Sequence, residues 1–233
     1  MPVPPSGKSA RAAMLYRGPQ RRWRPRRQAA IVMRLIAGHE HGRRLRAPRG
    51  TTTRPATARV RASIFSRLAA RRELAATAVL DLFAGSGSLG LEALSRGAAS
   101  AVFVDSSRAA AAAISDNLER LGLAPRGRVL TADWQAALLR LARERATFDL
   151  VFLDPPFAAD YALAALAKLA ALELLKPDGI VTAHTYYRTP VLSVPGFEVL
   201  SSARLGDHRV ALYRLAPAAV ALDGKQSHAE QNR

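Results

Sequence analysis

The sequence predicts an α/β protein built on a doubly wound, seven-stranded and mostly parallel sheet, preceded by a basic β-hairpin and a helix. Short apolar segments alternate with longer segments of helical periodicity from residue 79 onward, which is typical of βα units. A glycine-rich stretch joins the first of these strands to a helix, and the last two apolar segments follow each other with no helix between them. The 233 residues, 49% of them hydrophobic, suffice to bury the core of such a domain.

The strands and helices follow from the apolar pattern, taken in chain order. Thr57 can cap the helix after the hairpin, in which Val60, Ile64, Phe65 and Leu68 fall on one face. The last two strands are expected to form an antiparallel pair that closes the sheet. Strands are predicted at residues 33–37, 43–47, 79–83, 101–104, 128–131, 148–153, 179–184, 197–203 and 209–215, and helices at 58–70, 89–96, 108–121, 134–143 and 161–175.

The excess of positive charge lies entirely in the first 80 residues. The chain carries 35 Lys+Arg and 18 Asp+Glu, a net charge of +17. Residues 1–80 hold 19 of the basic residues and two acidic ones, Glu40 and Glu73, so this part alone has a charge of +17. An arginine-rich N-terminal region followed by a neutral domain indicates that the neutral domain performs chemistry while the N-terminal region binds a polyanion such as nucleic acid.

Four regions are predicted along the chain. Residues 1–32 contain five prolines and no acid, which predicts a disordered basic tail. This tail could be an RNA-binding arm, the result of a start upstream of a true initiator at Met33, or an organellar transit peptide. Residues 33–73 form the basic hairpin and helix, residues 74–215 the sheet domain, and residues 216–233 a flexible tail.

The composition excludes several classes of protein. Cysteine is absent, which excludes disulfides, thiolate metal sites and cysteine nucleophiles. The five histidines lack metal-binding spacing, so we expect no metal site. No apolar run approaches the roughly 18 residues that a membrane span needs. We therefore expect a soluble, cytoplasmic protein, with a monomer as the default state.

A glycine-rich stretch leaves the first strand of the sheet domain and opens a helix, and it reads Asp81-Leu-Phe-Ala-Gly-Ser-Gly-Ser-Leu-Gly90. Its glycines permit a tight turn and let backbone N–H groups approach a ligand. Asp105 stands 20 residues after Gly85, at the end of the next strand, where a carboxylate can accept both hydroxyls of a ribose. On spacing alone this pattern fits a dinucleotide as well as a nucleoside cofactor.

An acid at the end of the first strand favours a cationic cofactor. Asp81 would repel a pyrophosphate, whereas S-adenosyl-L-methionine carries an ammonium and a sulfonium. Asp133 can accept from an adenine amine and Trp134 can offer its face to the ring, although Asp133 could equally cap the next helix. The predicted cofactor-binding residues are Asp81, Phe83, Gly85, Gly87, Gly90, Asp105, Ser106, Asp133 and Trp134.

The tetrad Asp154-Pro-Pro-Phe157 ends the fourth strand of the sheet domain. The exocyclic amine of a base is a poor nucleophile because its lone pair is delocalised into the ring. Asp154 and the carbonyl of Pro155 can both accept from that NH₂ and favour pyramidal geometry, and the two prolines fix the direction of the carbonyl. Phe157 can stack on an extruded base. We predict Asp154, Pro155 and Phe157 as the catalytic residues.

These motifs resemble the class I adenosylmethionine-dependent methyltransferases, Rossmann-like enzymes that include those modifying exocyclic amines. Residues 33–38, 42–45, 53–61 and 89–97 further resemble the bacterial 16S ribosomal RNA guanine-N2 methyltransferase D family, and the resemblance covers residues 33–215. It implies transfer of a methyl group from S-adenosyl-L-methionine to N2 of a guanine in 16S rRNA. The implied substrate is a small-subunit assembly intermediate or the small subunit itself.

Two other functions stay open on the sequence. An N6-adenine methyltransferase acting on DNA or RNA would use the same Asp-Pro-Pro-aromatic arrangement, and a non-catalytic RNA-binding assembly factor could keep the same fold. A nicotinamide oxidoreductase has no use for the tetrad. The basic hairpin and helix are expected to contact RNA phosphates, with salt-sensitive affinity. The predicted RNA-binding residues are Arg43, Arg44, Arg46, Arg49, Arg54, Arg59 and Arg61.

Overall fold

The structure, a computed structural model, describes residues 33–48, 56–156 and 159–217. Three predicted site residues, Phe157, Arg49 and Arg54, lie outside these ranges, as do the two predicted tails apart from residues 216 and 217. The described elements are β1 (Met33–Arg34), β2 (Arg44–Leu45), α1 (Ala58–Ala69), β3 (Ala78–Leu82), α2 (Ser88–Ser95), β4 (Ser100–Asp105), α3 (Arg108–Arg120), β5 (Gly127–Thr131), α4 (Trp134–Arg143), β6 (Phe148–Leu153), α5 (Ala159–Ala171), β7 (Leu175–Tyr186), β8 (Phe197–Leu205) and β9 (His208–Leu215).

Seven strands form the main sheet, in the order β5-β4-β3-β6-β7-β9-β8. The five strands from β5 to β7 are parallel, while β9 runs antiparallel to both β7 and β8. The predicted α/β class, the strand number and the closing antiparallel pair are therefore confirmed. The strand order reverses between β3 and β6, and open α/β sheets bind ligands at such a crevice, outside the carboxyl ends of the strands.

The N-terminal hairpin is shorter than predicted, because β1 and β2 contain two residues each. The backbone N–H groups of Ile36 and Ala37 donate to the carboxylate of Glu92 on α2, at 2.7 and 3.0 Å, instead of to a partner strand. Glu92 is fully buried and also accepts from Nε of Arg96 at 2.8 Å. A buried carboxylate thus ends the strand pairing and holds the N-terminal segment on α2.

Two layers of buried side chains cover the two faces of the sheet. One layer joins residues of β1, β2, α1, α2 and α3 to one face, and the other joins α4 and α5 to the opposite face. Helix α1 begins where predicted, since Thr57 Oγ1 accepts from Val60 N, and it buries its apolar face, with the Phe65 ring centroid 5.6 Å from that of Phe152 on β6. The basic hairpin and α1 therefore pack on the sheet beside the crevice.

Candidate active site

A cavity of about 700 Å³ opens at the carboxyl ends of β3, β4, β5 and β6. Its wall includes residues 83–86 after β3, 105–107 after β4, 132–134 after β5 and 154–156 after β6. The N-terminal segment adds Met33, Ala47, Pro48 and Ala56. The four strand ends that the sequence singled out therefore meet at one cavity, and the basic N-terminal hairpin borders it.

The glycine-rich stretch reaches this cavity through residues 83–86 and Ser88. Gly85 has a φ of 54° and lines the cavity, and an added Cβ there would meet nothing within 4 Å. Gly90 lies on α2 behind the loop, where an added Cβ would stand 2.4 Å from the Phe103 ring, so this glycine lets helix and strand approach closely. Gly87, Gly90 and Asp81 are not among the residues that line the cavity, and their binding of a cofactor stays a prediction.

Asp81 is fully buried at the end of β3, where its Oδ2 accepts from Gly90 N at 2.9 Å. Burial raises the pKa of this carboxyl to about 8, and the negative charges of Asp154 and Asp105 add to the effect, while the bond from Gly90 opposes it. The side chain therefore connects the end of β3 to α2 through Gly90, and a role of Asp81 beside the ammonium group of a cofactor stays a prediction.

Asp105 connects the loop to the end of β4. Its Oδ2 accepts from Gly85 N and its Oδ1 from Ser107 N, both at 2.8 Å, and the residue also lines the cavity. Ser107 in turn caps α3 by accepting from Ala110 N. Since each carboxylate oxygen has two acceptor sites, Asp105 retains capacity for the hydroxyls of a ribose. Ser106 lies beside it on the wall.

Three aromatic rings stand together at the cavity. The Phe83 centroid lies 5.9 Å from that of Trp134 and 6.3 Å from that of Tyr161. Phe83 has a φ of 72°, an uncommon value for a bulky residue and one that clusters at functional sites. Sequence reasoning missed Tyr161, because an aromatic residue in the first turns of an alanine-rich helix carries no motif. The Phe83 ring is inclined by 48° to that of Trp134 and by 66° to that of Tyr161, so the three rings form an angled apolar wall against which a base could pack.

Asp133 is placed for both roles that the sequence left open, which are capping the next helix and accepting from an adenine amine. Its Oδ1 accepts from Gln135 N at 2.9 Å and from Ala136 N at 3.4 Å, so it is the N-cap of α4. The residue is also exposed and lines the cavity next to Trp134. The cap fixes the start of the helix and, through it, the position of the indole ring.

Asp154 and Pro155 follow β6 on the cavity wall, as predicted. Oδ1 of Asp154 lies 2.6 Å from Nδ1 of His184, a residue that sequence reasoning assigned to no function. The contact follows from the strand register, because Leu153 on β6 is paired with Ala183 on β7 and the residues that follow this pair are Asp154 and His184. That register follows from tertiary pairing and could not be read from spacing along the chain.

The predicted RNA-binding arginines separate into exposed and buried residues. Arg43, Arg44, Arg46 and Arg59 are exposed, although Arg43 also donates to Glu40 and Arg46 to Asp116. The prediction for Arg61 is wrong in this structure: its side chain is 2% exposed and donates to the backbone carbonyls of Ala56 and Arg34, at 3.0 and 2.7 Å. Burial lowers the pKa of this guanidinium, and the charge of Glu92 opposes the effect.

Two structural features are absent from the part of the chain that the structure describes. Within residues 33–48, 56–156 and 159–217, no helix is long and apolar enough to cross a membrane. The same ranges hold no group of three acidic or histidine side chains arranged to bind a metal ion.

Comparison with known proteins was made on sequence and on structure. Residues 33–214 match the model of a family described as conserved hypothetical protein 95. The Bacillus subtilis protein named "Putative rRNA methyltransferase YlbH" is 39% identical over 151 residues, which are 65% of this chain and 81% of that protein. The Haemophilus influenzae protein named "Ribosomal RNA small subunit methyltransferase D" is 31% identical over 183 residues, 78% of this chain and 92% of that protein.

A solved structure from Escherichia coli, "Putative methyltransferase yhhF", superimposes with a TM-score of 0.69 at 29% identity, covering 79% of this chain and 98% of that chain. The fold is therefore that of the class I methyltransferases, as the strand order and the crevice already indicated. The family match covers more than half of this chain, and the two relatives are covered over most of their length. The chain belongs to the family of conserved hypothetical protein 95, that of the ribosomal RNA small subunit methyltransferase D proteins.

Proposed function

We propose that this protein transfers a methyl group from S-adenosyl-L-methionine to the exocyclic N2 amine of a guanine in 16S rRNA. The observation that carries the proposal is the presence of Asp154 and Pro155 on the wall of the same cavity as Gly85, Asp105 and Trp134. A base-amine acceptor pair and a nucleoside-binding wall thus share one enclosed space. The names of the two relatives, both rRNA methyltransferases, support RNA as the substrate class.

The residues of the cavity fit S-adenosyl-L-methionine. The aromatic wall of Phe83, Trp134 and Tyr161 suits its adenine, the Asp105 carboxylate suits its ribose, and the open approach at Gly85 suits its methionine part. A volume of about 700 Å³ is also in the range of small-molecule sites, roughly 300–1,000 Å³. When bound, this cofactor supplies an electrophilic methyl group on a sulfonium centre.

The chain's own residues act on the amine. Asp154 and the Pro155 carbonyl each accept one N–H of the amine, so its lone pair is withdrawn from conjugation and directed along one line. As nitrogen gains the methyl group that the sulfonium releases, it becomes cationic and loses one N–H proton; the Asp154 carboxylate that faces this N–H stabilises the positive charge, accepts the proton and passes it on to solvent. Pro155 is buried, which excludes water from the carbonyl side of the pair. Phe157 stays a proposed stacking residue for the base.

The exposed arginines Arg43, Arg44, Arg46 and Arg59 support binding of a phosphate backbone, because they lie on the hairpin and α1 beside the cavity mouth. Such contacts would position the RNA without reading its sequence. Substrate selection would then depend on the shape of the RNA or of the ribosomal intermediate around the base. Arg49 and Arg54 remain proposed phosphate contacts in the same region of the chain.

Mass spectrometry of nucleosides from 16S rRNA tests the proposal, comparing wild-type cells with cells that lack the gene. We expect one N2-methylguanosine to be lost, and to be restored by the wild-type gene but not by Asp154→Ala. Asp178→Ala is the matched control, since Asp178 is exposed on β7 near the opposite end of the sheet, and it should restore the modification. A fall in N6-methyladenine would favour the adenine enzyme, and no change in any nucleoside would favour the binding factor.

A further inference from the structure

Two histidines extend from Asp154 away from the cavity in an unbroken chain of polar contacts. Nδ1 of His184 lies 2.6 Å from Oδ1 of Asp154, and Nε2 of His184 lies 2.9 Å from Nδ1 of His208. The two imidazole centroids are 4.9 Å apart. His184 is 2% exposed, whereas the Asp154 side chain keeps 22% of its surface accessible. The buried end of the carboxylate is therefore held by a histidine, and its other end faces the cavity.

The sheet places these residues together. His184 belongs to β7, between β6 and β9, and His208 begins β9 opposite Tyr186. Asp154 comes from the end of β6, one residue past the pair of Leu153 and Ala183. Two members lie in the neighbouring strands β7 and β9 and the third directly follows β6, so the positions of all three are set by the sheet.

The proton positions follow from the contacts. A carboxylate only accepts, so Nδ1 of His184 must donate to Asp154. Nε2 of a neutral His184 is then an acceptor, and the proton between the two rings belongs to Nδ1 of His208. His208 therefore selects the tautomer of His184 that can donate to Asp154, as a second group orients the base in other histidine–carboxylate arrangements.

We propose that His184 and His208 are positioning residues for Asp154: they fix Oδ1 on the buried side and thereby direct Oδ2 at the substrate amine. Oδ2 makes no hydrogen bond to any residue within the described ranges. This inference rests on the proposed methyl transfer, in which Asp154 accepts from the amine. Without the donor from His184, the carboxylate can rotate, and the fraction of time in which its oxygen meets the amine falls.

The same arrangement makes the rate sensitive to acid. A proton added to the histidine pair turns His184 into a cation that pairs with Asp154, and the carboxylate then accepts less strongly from a neutral amine. Among the described residues, the titratable or charged groups near the pair include Asp81 on β3, which interacts electrostatically with Asp154, Tyr186 on β7, and Asp207 and Arg209 next to His208. None of these is removed in the variants below, so a change in the pH profile reports on the histidines.

Three variants test the proposal. His184→Phe keeps a ring but removes the donor, His184→Asn keeps an N–H close to the position of Nδ1 but does not titrate, and His208→Leu removes only the outer contact. The substrate is the small ribosomal subunit from cells that lack the gene, and kcat and KM are measured between pH 5.5 and pH 8.5. If the wild-type protein transfers no methyl group to this substrate, the proposed function fails and the variants are not interpreted through it.

We expect His184→Phe to lower kcat by about 10- to 100-fold, the effect of losing one hydrogen bond to a charged group, with KM for the cofactor and its affinity unchanged. His184→Asn should recover most of this loss and should lack the fall of kcat at acidic pH that we expect of the wild-type protein. The kcat of His208→Leu should lie between those of His184→Phe and His184→Asn. An unchanged kcat in His184→Phe, or an acidic fall retained in His184→Asn, would overturn the proposal.

A second readout needs no turnover. Nitrogen-15 NMR of the histidine rings in the protein without cofactor identifies the protonated nitrogen, and we expect His184 to carry its proton on Nδ1. In His208→Leu and in Asp154→Ala this tautomer should lose its preference. A proton found on Nε2 of His184 in the wild-type protein would exclude the assigned direction of the chain. Because this experiment tests only the contacts, its failure is distinct from a failure of the proposed function.

Discussion

Asp81→Asn should remove a pH dependence of stability that the buried carboxyl creates. Asp81 is fully buried and accepts from Gly90 N at 2.9 Å, and its pKa is raised to about 8, mainly by burial. Asparagine has the shape of the protonated acid, and its side-chain oxygen can still accept from Gly90 N. The substitution therefore removes the ionisable group while it keeps the hydrogen bond and the packing.

The sign and size follow from proton linkage. The unfolded carboxyl has a pKa near 3.8 and the folded one about 8, so between these values the folded state binds a proton that the unfolded state releases. Stability from this group is complete below the unfolded pKa and is lost as the pH rises toward the folded one, at about 1.4 kcal/mol per pH unit. Between pH 5 and pH 7.5 the wild-type protein should lose about 3 kcal/mol relative to Asp81→Asn.

Urea unfolding of both proteins without cofactor, at pH 5, 6, 7 and 7.5, measures this difference, because contributions from all other groups cancel in the subtraction. Asp178→Asn removes an exposed carboxyl and controls for the loss of one charge. A difference between wild type and Asp81→Asn that stays constant over this range would refute the reasoning. It would mean that Asp81 is ionised in the folded protein and that its surroundings compensate its burial.

Two further pairs of substitutions test the packing at Gly90 and the different roles of Arg61 and Arg44. Gly90→Ala should lower the stability measured by thermal unfolding by about 1–3 kcal/mol, because the added Cβ meets the Phe103 ring at 2.4 Å. The control is Gly122→Ala, which has a φ of 70° and no atom within 4 Å of the added Cβ, and which should cost only the roughly 1 kcal/mol of backbone strain. Equal losses of stability in the two variants would contradict the packing argument. Arg61→Met should lower stability by about 2–4 kcal/mol, because two hydrogen bonds to backbone carbonyls are lost, and it should leave the RNA affinity of the folded protein unchanged. Arg44→Ala should leave stability unchanged and weaken RNA binding in a salt-dependent way, because Arg44 is exposed. Urea unfolding measures the stability of both variants, and filter binding at several salt concentrations measures their RNA affinity.

The sequence alone determined the fold class and most of the site's location. Alternation of apolar segments is a local signal, and it predicted helix α4 at the bounds that the structure has and the closing pair of β8 and β9. The motifs around Asp105, Trp134 and Asp154 follow strands, and parallel strands end at the same edge of a sheet. That is why residues about 20 to 50 positions apart could be assigned to one cavity before any tertiary structure was considered.

The tertiary structure decided what depends on packing between distant segments. Arg61 looks like any exposed arginine in the helix pattern, yet the N-terminal segment folds over it and makes it a buried donor. Asp81 lies in the predicted motif but behind the loop, and Tyr161 joins the aromatic wall without belonging to any motif. The contact between Asp154 and His184 exists because β6 and β7 pair in one register. Side-chain neighbours across β6 and β7 depend on this register, and because the two strands are parallel and joined through α5, no hairpin turn in the sequence reveals it.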